Sequence, residues 1–138
     1  MTQPMSRCDR LERWATLLEA APARKLTPFR DVELLPAVDR AELQVANSPL
    51  AVACADPVLH RAGLDSDRFG DGAAFFGLTR FQAHRVLCSC GYIGTMRSAE
   101  VARRIRGIAA RERLRRLWPE KLRPAFARWV AARWQHAT

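Results

Sequence analysis

Apolar residues recur at three- and four-residue steps from Leu11 through Trp14 and Leu18 to Ala21. That spacing lays one apolar stripe along a helix and predicts a first helix over 7–21. Pro22 stops it. Residues 22–36 hold Pro22, Pro28 and Pro36 and read as an extended connector with one short helical turn at most. A modest helix follows over 37–46. Asn47-Ser48-Pro49 then acts as a stop and a new start, because Ser48 can cap and Pro49 suits a first helical position. Asp56-Pro57 repeats the device for 57–62, and Gly63 ends that helix. From Gly63 to Gly77 the chain is least regular, and a short turn over 72–76 would place Phe75 and Phe76 in a common core. Thr79-Arg80-Phe81-Gln82 has the capping-box spacing, with Thr79 as cap and Gln82 reaching back, so 79–89 is predicted as helix. Residues 90–94 form a turn. Thr95 or Ser98 caps the next helix, which runs to Leu117. Trp118-Pro119 breaks it, and a last helix is predicted over 119–134. No run of alternating apolar residues predicts a strand, and there is no internal repeat.

These elements predict an all-α fold, a compact irregular bundle of about six helices with the last two longest and most basic. Its 138 residues fit a single domain, 1–138, with 1–6 as a flexible lead-in. A hydrophobic share of 49% supplies a core without help from metal or disulfide. No apolar run approaches the roughly 20 residues of a membrane span. The first residues lack the basic, apolar, small-residue order of a signal peptide. Cys8, Cys54, Cys88 and Cys90 show no framework spacing and are expected as reduced thiols. The expected compartment is the cytoplasm.

Charge changes this picture by its position. The formal net charge is +9. From Arg97 onward there are twelve basic residues against three acids, Glu100, Glu112 and Glu120, so this segment carries the whole excess. Residues 1–96 are neutral. Lys25 and Lys121 are the only lysines, an arginine bias that a GC-rich bacterial genome produces by itself. Within 98–117, Val101, Ile105, Ile108 and Ala109 form the inward stripe, while arginines including Arg104, Arg111 and Arg115 project elsewhere. The resulting basic ridge, continued into a C-terminal helix pair over 97–134, would attract phosphates or acidic protein surfaces. It would equally serve as a solvated helix face.

Candidate chemistry is sparse. The stretch Leu78-Thr79-Arg80-Phe81-Gln82-Ala83-His84-Arg85-Val86-Leu87, a glycine turn and Ser98-Ala99-Glu100-Val101-Ala102-Arg103-Arg104-Ile105 loosely resembles the DNA-binding helix pair of bacterial response regulators. The resemblance covers about 30 residues. It implies a recognition helix with Arg103, Arg104 and Arg106 near bases or phosphates. The connector from Cys88 to Arg97 is longer than the usual three- to four-residue turn. The same text also reads as a generic antiparallel helix pair capped by Thr79 and Ser98. His84 and Cys88 share a helix face with Cys90 two residues on, a cluster that could hold zinc with Cys54 or His60 as fourth ligand, but Cys-x-Cys is not the Cys-x-x-Cys knuckle and no second ligand pair has the right spacing. No metal or other cofactor is expected. Asp65-Ser66-Asp67-Arg68-Phe69-Gly70-Asp71 begins like a calcium loop but has Phe69 and Phe76 where the fifth and twelfth ligands belong. Trp118, Leu122, Phe126, Trp129, Val130 and Trp134 fall largely on one side of 119–134, which is expected to pack on the core, leaving Trp134 for a partner. There is no Gly-x-Ser-x-Gly, no phosphate-binding glycine loop and no paired carboxylates on one face, so catalysis is not expected. The chain reads as a small non-catalytic bacterial regulator that binds nucleic acid through Arg97, Arg103, Arg104, Arg106, Arg111, Arg115, Arg128 and Trp134. The alternative is a helical adaptor or complex subunit docking on an acidic protein partner through the same basic, Trp-rich helices.

Overall fold

The computed structural model describes residues 3–117 and 128–133. Helix α1 (Arg7–Glu19) starts where the Ser6 hydroxyl accepts the Asp9 amide and buries Cys8, Leu11, Trp14, Ala15 and Leu18 along one stripe. It packs along α7 (Ser98–Leu117), whose stripe is Ser98, Val101, Ala102, Ile105, Ile108 and Ala109. These two stripes are the floor of the core. Trp14 sits at its centre, fully buried, stacked on Phe76 with ring centroids 4.1 Å apart. Its indole N–H donates to the Pro49 carbonyl at 2.9 Å, so burial leaves no polar atom unmet.

Between them lie short helices, each set by its own punctuation. They are α2 (Ala37–Glu42), α3 (Pro49–Cys54), α4 (Pro57–Arg61), α5 (Phe69–Phe75) and α6 (Arg80–Leu87). Ser48 caps α3 and Asp56 caps α4, each with proline at the start. Gly63 closes α4 with φ of +122°, a conformation that favours glycine. Thr79 and Gln82 form both bonds of the capping box on α6. Eight helices are present among the described residues, against about six expected; the short segments begun at Pro49, Pro57 and Phe69 are each helices in their own right.

The connector after α1 is not a spacer. Leu26, Phe29 and Val32 are buried in the core, and Val32–Leu34 forms a single 3-10 turn. Strand β1 (Lys25–Leu26) pairs antiparallel with β2 (Met96–Arg97), in register Lys25 to Arg97 and Leu26 to Met96. Two-residue strands leave no alternation to read in the sequence. Their effect is to anchor α7: the Ser98 and Ala99 amides donate to the Arg24 and Pro22 carbonyls. Ser98 is therefore not a side-chain cap. Its hydroxyl, buried, donates to the Leu18 carbonyl at 2.6 Å and ties α7 to α1.

The first helix ends at Glu19, two residues short of expectation, and α2 ends at Glu42, before Leu43 turns extended. With 20 residues α7 is the longest described helix; α1, with 13, is second. Residues 128–133 are helical, and none of them is among the described buried core residues. The rest of the predicted 119–134 helix, Trp134 included, lies outside the described residues. No helix among the described residues is long and apolar enough to cross a membrane.

Candidate functional site

The basic excess of α7 is divided between two sides. On the α1 side it is neutralised at close range. Arg106 donates to both carboxylate oxygens of Glu19 and to Thr16. Arg113 pairs with Glu12 at 2.5 Å. In the opposite sense, α7's own Glu112 is taken by Arg7 of α1 at 3.1 Å. The bond from Arg106 holds the Glu19 carboxyl below the usual carboxylate range. The eleven acids of residues 1–96 thus include partners for the late arginines, which sequence proximity does not reveal.

Arg104 is also committed. Its guanidinium donates to the Arg85 carbonyl at 2.7 Å, to the Gly91 carbonyl and to Glu100. It lies 4.0 Å over the Tyr92 ring, whose hydroxyl donates to Val86. Burial pushes the Tyr92 hydroxyl's pKa up. Arg104 therefore clasps α6, the Cys88–Arg97 segment and α7 together.

What remains uncompensated faces the seam between α6 and α7. Among the described residues the Arg85 and Arg111 guanidiniums have no hydrogen bond or ion pair. Arg103 has only Glu100, at 3.7 Å, and its side chain is 77% exposed. Ala83, Val86 and Leu87 bury the inner face of α6 and turn Phe81 and Arg85 outward. Phe81 is 71% exposed, a large apolar surface left in water. The seam is an open trough in three joined hollows. The middle one, about 260 Å³, is lined by Phe81, Arg85, Arg103, Gly107 and Arg111. A second of about 290 Å³ continues past Phe81 and Arg85 to His84 and Cys90. A third of about 400 Å³ shares Arg111 and leads to Arg7 and Arg115. Phe81 and Arg85 line both of the first two.

Of the residues expected to bind, Arg103, Arg111 and Arg115 line this trough. Arg104 lines it too but is clasped, and Arg106 sits on the α1 side. Arg97 is exposed on β2, and Arg128 is exposed in the 128–133 helix. Arg85, Phe81 and Gly107 were missed. The signal for two of them is present in the sequence: Phe81 and Arg85 are four residues apart, on the face opposite Ala83, Val86 and Leu87.

The other candidate chemistries disperse. The α6–α7 pair is not a bare turn between two helices, since Cys88–Arg97 folds into a 3-10 turn at Ser89–Gly91 and then β2. The first amides of α7 are held by the connector, and Glu100 is paired with Arg104. Cys88 faces the core, where burial pushes its thiol up to about 12. Cys90 is exposed, with its Sγ 3.8 Å from His84 Nδ1. Among the described residues no three His, Cys, Asp or Glu side chains gather as a metal-holding set. The calcium-like segment becomes helix α5 from Phe69 onward, and Phe69 and Phe76 are core residues. Compared with known proteins, the chain matches no family model, no curated protein and no solved structure.

Proposed function

We propose that the protein is a non-catalytic binder of nucleic acid and that the α6–α7 trough is its phosphate-contacting surface. The observation that supports this is the pair of guanidiniums without a partner among the described residues, Arg85 and Arg111, lining one trough together with Arg103. Every other α7 arginine up to Arg113 that could have joined them is tied to an internal carboxylate or carbonyl. Unpaired guanidiniums on a rigid helical seam offer forked donors that match phosphate oxygens.

The test is binding of fluorescein-labelled nucleic acid across a salt series. Three phosphate contacts give a slope of log K on log salt of about −2 to −3. The double substitution Arg85→Glu with Arg111→Glu is expected to abolish binding at moderate salt while leaving the thermal midpoint nearly unchanged, since neither side chain has a partner to lose. Salt-independent binding, or binding unaffected by the double substitution, would overturn the proposal.

One observation favours the second reading, an acidic protein partner. After Ala109 only Glu112 is sheltered, so α7 runs on for about 12 Å past the core. That extension carries exposed Leu114 and Leu117 among Arg113, Arg115 and Arg116. In the same salt series, persistence of a protein complex after nuclease treatment is the outcome that selects this reading.

A further inference from the structure

The trough has three properties that phosphate binding alone does not require. The first is Phe81. A phosphate surface gains nothing from an aromatic ring left 71% exposed, whereas a ring flanked by arginines is the arrangement on which a nucleobase stacks. The second is Gly107. It lies in the middle of the longest helix, where glycine is unfavourable relative to alanine. Among the described residues nothing explains it: a Cβ built there meets none of their atoms within 4 Å. Gly70 and Gly72, by contrast, are held to glycine by Ala41 and Leu50, which a Cβ would strike. Gly107 leaves bare backbone at the trough floor between Arg103 and Arg111, four residues to either side. The third is the serial layout, in which each hollow shares lining residues with the next.

Together these features fit an extended single chain better than a double helix. A duplex is read by an element that protrudes into a groove about 12 Å wide. Here Arg85, Arg103 and Arg111 line an open hollow between two helices, and the first turn of α7 is bound to the connector instead of projecting. We propose that the trough is a track for single-stranded nucleic acid. One base stacks on Phe81, the phosphates beside it are held by Arg85 and Arg111, and Gly107 clears room for the sugar–phosphate backbone. This rests on the nucleic-acid reading above and deepens it.

Fluorescence anisotropy of the full chain with a 12-nucleotide oligo-dT and with a 12-base-pair duplex tests it. The single strand is expected to bind more tightly. Phe81→Ala is expected to weaken single-strand binding about 5- to 150-fold, the range for loss of one stacked base, and Phe81→Trp to restore it, with duplex binding unmoved by either. Gly107→Leu is expected to block the track. Gly107→Ala serves as its folding control and is expected to raise the thermal midpoint, because helix propensity improves and no clash results. Equal binding of strand and duplex with no effect of Phe81→Ala, while Arg85→Glu with Arg111→Glu still abolishes binding, overturns the single-strand track and leaves the broader reading standing. No binding of either probe at low salt overturns both. Should Gly107→Leu fail to fold, Phe81→Ala, altering a side chain mostly in water, decides the matter.

Discussion

Asp56 performs two tasks with one carboxylate. It accepts the Leu59 amide to start α4, and it takes two hydrogen bonds from Arg13, at 2.8 and 3.1 Å, to fasten α1 against that cap. The Arg13 guanidinium holds this carboxyl below the usual range. Its folded pKa lies beneath the unfolded value of about 3.9, so the stabilisation is complete above that value and is lost as pH falls through the folded pKa. Asp56→Asn keeps an acceptor for the cap but removes the charge. Because the Arg13 side chain is 40% exposed, the expected loss is about 1 kcal/mol at pH 7. Urea unfolding at pH 7 and pH 3 checks it: the gap between the two proteins should narrow in acid, and a gap that stays constant argues against the charge. The Asp56 cap is visible in the sequence as Asp-Pro. Its second partner is not, since Arg13 lies 43 residues away.

At the scale of elements, α7 is held at its start by β1 and β2, along its length by α1, and on its outer side by Arg104. The helical stripe of 98–117 was legible because it is local and periodic. The strand pair was not, because four residues joined across 70 positions leave no periodic trace. Nor was the fate of Arg104, since a guanidinium directed at backbone carbonyls looks in sequence like any exposed arginine. The structure separates two arginines that read alike. Arg104→Ala leaves the Arg85 and Gly91 carbonyls without their donor and uncovers Tyr92, at an expected cost of about 2–3 kcal/mol. Hydrogen exchange should then quicken in the Cys88–Arg97 segment. Arg111→Ala should change stability by less than about 0.5 kcal/mol and weaken nucleic-acid binding. The opposite pattern would mean that their roles are exchanged.

Across the whole molecule, the separation of a neutral first two thirds from a basic last third is true of the sequence but not of the folded surface. Glu12 and Glu19 cross over to cancel Arg113 and Arg106, while among the described residues Arg85, Arg103 and Arg111 line the α6–α7 side. Fold class, most caps and the basic character of 98–117 followed from local pattern. The trough did not, since half of it comes from α6, whose outward face matters only once α7 lies beside it. One feature of that face also has a practical value. Of the four cysteines, three are wholly or partly buried, and only Cys90 is exposed, at the end of the trough beyond Phe81. Under native conditions a maleimide dye is expected to attach there first, as peptide sequencing by mass spectrometry would verify. The unaltered protein thus carries its own reporter position, one at which an arriving strand would change the dye's surroundings and be seen directly as a change in emission.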